Sequence, residues 1–77
     1  MGSPSAEVKT LSDKIYFDND QAVVKMAAQT LIALIPTFSA EDKAYVLSRM
    51  NDSMRSNEPK WRQEIAMSVI VATRHFA

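Results

Sequence analysis

From Gln21 to Ile35 the chain reads QAVVKMAAQTLIALI, and polar positions almost vanish from the helical wheel. At about 100° per residue, Gln21, Lys25 and Gln29 share one narrow stripe, with Asp18 beside them. Nearly everything else is Ala, Val, Met, Leu or Ile. A surface helix carries an apolar arc of roughly 100° or a little more, and this one has about twice that. The pattern predicts a helix over about 19–35 with neighbours on two or three sides, placed at the centre of the fold. The Asp18-Asn19-Asp20 cluster can accept bonds from the first-turn amides and complements the positive end of the dipole. Pro36 ends the helix, because it disfavours helical geometry at Ile35 and donates no hydrogen bond.

A second helix is predicted over about 40–55. Ser39 followed three residues later by Asp42 is close to a capping box, with Asp in place of the usual Glu or Gln. Ala40, Ala44, Leu47, Met50 and Met54 then recur at spacings of three and four, flanked by Val46, while Glu41, Tyr45, Arg49 and Asp52 take the opposite face. A third helix is predicted over about 58–76, capped by Ser56 or Asn57, with Pro59 in the first turn, where proline is tolerated. Its main face is Trp61, Ile65, Val69, Ala72 and Phe76. Met67 and Val71 form a separate pair one turn apart, on the side that carries Lys60, Glu64 and Arg74. Arg74 and His75 put positive charge in the last turn, where the dipole favours it.

Ahead of Asp18 two readings compete. Ser5 can cap a short helix over Ala6–Lys14 with Val8, Leu11 and Ile15 inward, or Ile15-Tyr16-Phe17 can pack as an extended strap. The single glycine, Gly2, lies near the start, so folds that depend on tight glycine turns are disfavoured. The fold expected is all-α: a compact bundle of three helices with a short N-terminal helix or extended strap. Residues 1–4 are read as a leader and 5–77 as one helical domain.

Composition changes this picture in one respect. Ordering 77 residues costs on the order of 100 kcal/mol, which a core of this size only just offsets. Small domains usually add disulfides, a metal or a partner subunit. With no cysteine, disulfides and thiolate metal sites are excluded, and one histidine cannot build a conventional zinc site. Oligomerisation is left as the added support.

Nine basic and nine acidic residues balance. They give no electrostatic footprint of a general nucleic-acid or membrane-surface binder. The apolar run Ala22–Ile35 is too short and too polar to span a bilayer, and no signal peptide precedes it. A cytoplasmic protein is expected.

The residues offer little chemistry. Catalysis needs a nucleophile beside a base, paired carboxylates in a cleft, or a metal with an open position. None is written here: no serine sits in a recognisable elbow and no glycine-rich loop can cradle phosphate. His75 reads as a C-terminal helix charge. Asp18-Asn19-Asp20 superficially matches the start of a calcium loop, but the sixth position lacks glycine and Gln29 stands where a bidentate Glu belongs. The chain is read as non-enzymatic, with no catalytic residue, cofactor or metal.

Positive charge gathers once, in RMNDSMRSNEPKWR, where Arg49, Arg55, Lys60 and Arg62 outnumber Asp52 and Glu58. Those four are the candidate nucleic-acid contacts of a small dimeric DNA-binding regulator. Against that reading, the last helix is apolar at Ala66 and Ile70 as well as on its main face, leaving few polar positions for base edges. Phe38, Trp61 and Phe76 read as core aromatics, and Met26, Met50 and Met54 as core methionines. Tyr45, beside Arg49 and opposite Leu47, has interface composition. The leading expectation is a regulatory protein–protein interaction module, acting as a homodimer or by docking on a partner protein through Val23, Ala27, Leu34, Tyr45, Met67, Ile70 and Val71. A small inhibitor or adaptor of a larger enzyme is a further alternative.

Overall fold

Every helix begins where a side chain or a proline can organise the first turn. In the computed structural model, which describes residues 2–76, Ser5 caps α1 (Ala6–Phe17), its Oγ accepting from the Val8 amide at 3.3 Å. Asp20 caps α2 (Gln21–Leu34), accepting from the Ala22 amide at 3.0 Å, while Asp18 accepts from the Asp20 amide at 2.8 Å. The α-helix α2 closes at Leu34 and tightens into a 3₁₀ turn over Ile35–Thr37, but Ile35 keeps helical backbone angles (φ −51°, ψ −42°), against the expectation for a residue ahead of Pro36. The Ser39–Asp42 capping box opens α3 (Ala40–Ser53), with reciprocal bonds of 3.0 and 3.1 Å. Ahead of α4 (Lys60–His75), Pro59 itself is the cap residue and Ser56 and Asn57 stay in the turn, correcting the expected cap. The Pro59 carbonyl accepts from the Arg62 and Gln63 amides.

The described residues therefore form four α-helices, not three with a strap. Val8, Ser12 and Ile15 recur at helical spacing and all are buried, Ile15 completely. That stripe carries the helix through Tyr16 and Phe17, because an extended strap could not turn both Val8 and Ile15 into one core. Going round the bundle the order is α1, α2, α4, α3, with α1 and α4 touching across one diagonal. Thus α2 occupies a corner opposite α3 rather than the centre.

Two neighbours absorb most of the apolar arc of α2. Val24, Ala27, Ala28 and Leu31 are buried along with Ile35; Val23, Ile32 and Leu34 are half-buried on the flanks. Only Ala22, Met26 and Ala33 remain as its exposed apolar positions, so Met26 is not a core methionine. The shared core adds Val8, Ile15, Val46, Met50, Ala66, Val69 and Ile70, with Phe38, Leu47, Met54, Trp61 and Ile65 packed at its edge.

Burying α1 rotates the expected faces of α3 and α4. On α3, Ala40 and Ala44 are exposed while Asp42, Val46, Met50 and Ser53 are buried, because α1 docks on the Tyr45 and Arg49 side. On α4 the buried stripe is Arg62, Ala66, Val69, Ile70 and Thr73. Trp61, Ile65 and Ala72 are left half-buried and Phe76 is exposed, so Phe76 is not a core aromatic. The buried hydroxyls Ser12, Ser53 and Thr73 each donate to the carbonyl four residues earlier, at 2.7–3.0 Å, so none is left unbonded.

Asp42 ties the N-terminal segment to the bundle. Its Oδ1 accepts from the Ser5 amide at 2.8 Å while Oδ2 caps α3. These two backbone bonds hold its carboxyl below the ordinary value.

Candidate interaction surfaces

The seven candidate contact residues divide by burial. Ala27 and Ile70 are each 4% exposed and belong to the core, Ala27 because α1 and α4 cover the apolar arc of α2, and Ile70 because it sits on the inner stripe of α4. Val23 and Leu34 are half-buried. Val23, Ala27 and Met26 line an open groove of about 250 Å³ between α1 and α2, together with Leu11 and Lys14. A second groove of about 380 Å³ lies between α2 and α4, its sides including Ile32, Trp61 and Ile65, with Lys25 and Glu64 among its charged residues. Met67 and Val71 are 44% and 59% exposed on the outer side of α4, away from Ala66, Val69 and Ile70.

Tyr45 is half-buried rather than free. Its hydroxyl donates to Asp13 Oδ1 at 2.5 Å, and Arg49 Nε donates to the same oxygen at 2.9 Å. Three rings surround the guanidinium: Arg49 Cζ lies 5.2 Å from the Tyr16 and Phe17 centroids and 5.7 Å from that of Tyr45. These distances lie within the range of cation–π attraction. Tyr16 and Phe17 meet edge to face at 4.6 Å. Burial pushes the Asp13 carboxyl up, but the bonds from Tyr45 and Arg49 and the charges of Arg49 and Lys9 outweigh it and leave it lowered. Burial, reinforced by the bond to Asp13, raises the Tyr45 hydroxyl. The bond to Asp13 raises Arg49 further, so it stays cationic.

Sequence reasoning found Tyr45 and Arg49 but missed Asp13, Tyr16 and Phe17. Helical spacing held a usable signal. With Val8 and Ile15 inward, Asp13 and Tyr16 fall on one flank of α1, where the next helix must pack.

The structure separates the four basic candidates rather than gathering them on one face. Arg62 is 2% exposed and points inward. Its Nη1 donates to the Ile15 carbonyl at 2.6 Å, its Nη2 to Asn19 Oδ1 at 3.0 Å, and its Nε lies 3.0 Å from Glu58 Oε1, although the N–H is not aimed along that line. Its Cζ sits 4.8 Å from the Trp61 ring. Arg49 is engaged by Asp13 on α1. Arg55 and Lys60 are exposed, and Arg55 pairs with Asp52 at 3.2 Å. A charge cluster in sequence becomes two structural arginines and two solvated side chains.

His75 is exposed, its ring edge-on to Phe76 at 5.5 Å. Among the described residues no three His, Cys, Asp or Glu side chains come together as a metal site, and no helix is long and apolar enough to cross a membrane.

Asp13 and Asp42 are expected to make stability acid-sensitive. Both carboxyls sit below their ordinary value of 3.8 when folded, so their contribution is fully present above that value and is lost as pH falls through the lowered values. The urea midpoint is expected to drop below about pH 4, and Asp13→Asn with Asp42→Asn is expected to flatten that acid limb. An unchanged limb in the double variant would assign it to other carboxylates.

No protein-family model matches the chain, and neither a curated protein nor a solved structure matches it.

Proposed function

We propose that this chain is a non-catalytic protein–protein interaction module that uses the outer side of α4. The observation that carries this reading is the exposure of Met67 and Val71, 44% and 59%, one turn apart on a helix whose opposite face already serves the core. A large apolar side chain left in water costs free energy that a partner surface recovers, at about 25 cal/mol per Å² covered. Lys60, Glu64 and Arg74 are exposed on the same helix and give the pair a mixed-charge border, as the rims of specific interfaces have. A second copy of the chain is the first partner to test, since a neutral protein meets no net charge repulsion from itself.

The test is absolute mass in solution by light scattering across a wide concentration range, for the parent and for Met67→Lys with Val71→Lys. A concentration-dependent dimer is expected, with its dissociation constant raised at least about tenfold in the variant. Because both side chains are exposed, the thermal midpoint of a monomeric sample should barely move. An unfolded variant would show the pair to be core. A dimer indifferent to the two lysines would move the contact elsewhere. A monomer at all concentrations would direct the reading toward a different protein, as an inhibitor or adaptor requires.

A further inference from the structure

The Arg49 cluster does more than join α1 to α3. That junction needs only Asp13, Tyr45 and the Nε of Arg49, since those atoms make both inter-helix bonds. The rest of the cluster is partly open to solvent. The Arg49 and Asp13 side chains are 28% and 32% exposed, and Phe17 is 63% exposed although its ring stands 5.2 Å from the guanidinium. Neither Nη1 nor Nη2 of Arg49 donates to a carboxylate among the described residues, and the Tyr45 hydroxyl lies within bonding reach of the guanidinium.

We propose that Arg49, walled by Tyr16, Phe17 and Tyr45, is a preorganised docking point for a carboxylate of a partner protein. With Nε committed to Asp13, the two Nη groups still present a parallel pair of donors, the geometry that matches a carboxylate's two oxygens. Holding a free arginine still costs side-chain entropy on binding, and here Asp13 and the rings already restrain it. Asp13 offsets the charge of Arg49, but Lys9 acts on the same carboxylate, so the two cations outnumber it by one. Phe17 offers an apolar contact at the rim, where water exclusion strengthens a charged bond. Only the owner of the carboxylate, a partner protein, rests on the function proposed above; the anion site itself does not.

The experiment follows the arginine side-chain N–H resonances by NMR during titration with acetate at constant ionic strength. Arg55 is the internal reference, because it pairs with Asp52 but lacks the ring wall. A saturable shift at Arg49, at least about tenfold tighter than any at Arg55, is expected. A linear drift shared by both arginines would overturn the proposal. So would inorganic phosphate binding more than about tenfold tighter than acetate, which would assign the site to phosphate. Phe17→Ser, which leaves the Asp13 bonds in place, is expected to weaken acetate binding several-fold; an unchanged affinity would overturn the role of the ring wall. This titration reads the monomer, so its result stands apart from the fate of the Met67 and Val71 test.

Discussion

Replacing Arg62 with Met is expected to cost about 2–4 kcal/mol of folding stability, lowering the thermal midpoint by about 10–25 °C. The reasoning starts from what is stranded. The Ile15 carbonyl lies near the end of α1, and the Arg62 guanidinium donates to it across 47 positions of sequence. Without that donor a buried carbonyl goes unbonded, which costs about 1–3 kcal/mol alone. Asn19 loses a partner and Glu58, 20% exposed, loses its ion pair. Because Glu58 still reaches water, the loss stays below that of a fully buried pair. A protein of this length has only about 4–12 kcal/mol in total, so the variant loses a large share of its stability. Arg62→Lys should not rescue it, since one ammonium cannot reproduce the two fixed donors that reach Ile15 and Asn19. The matched control is Arg55→Met, whose exposed pair is worth about 0.5 kcal/mol or less. Urea unfolding of the three variants decides the matter, and equal losses at positions 55 and 62 would remove the clamp from the account.

The second large effect is expected at Ile15. Truncation to Ala removes a completely buried side chain from the face of α1 that meets the core, and should cost about 2–5 kcal/mol through lost transfer energy and the cavity left behind. A peripheral strap would tolerate the same change at under about 1 kcal/mol. The urea midpoint therefore distinguishes a structural first helix from a dispensable one. Phe17→Ala, two residues on but 63% exposed, should shift it little.

These two positions also mark what the sequence discloses and what it conceals. Asp20, the Ser39–Asp42 box and Pro36 act through neighbours a few residues away, so their consequences could be read directly from the chain. The faces of the helices could not. Ile15-Tyr16-Phe17 is uniformly apolar, and only the docking of α1 beside α3 decides that Ile15 turns inward and Phe17 outward. Arg62 inverts the usual expectation that arginine faces water, because its partners arrive from residues 15 and 19. Ala27 and Ile70 seemed surplus to a three-helix core, and the fourth helix uses that surplus. The Arg49 cluster was half legible: Tyr45 and Arg49 share one face of α3, but their acceptor stands 32 and 36 positions away.

The cyclic order α1, α2, α4, α3 has a consequence for a chain emerging from the ribosome. The first two helices appear as a pair whose inner side, Val8, Ile15, Val24 and Leu31, has nothing to lie against until the second pair follows. Closing that interval joins residues far apart in sequence, a slow step compared with forming any single helix. The donor for the Ile15 carbonyl arrives 47 positions later, at residue 62. Synthesis therefore passes through a stage in which the nascent first pair is sticky and incomplete, and a pause in translation before α4 would prolong that stage.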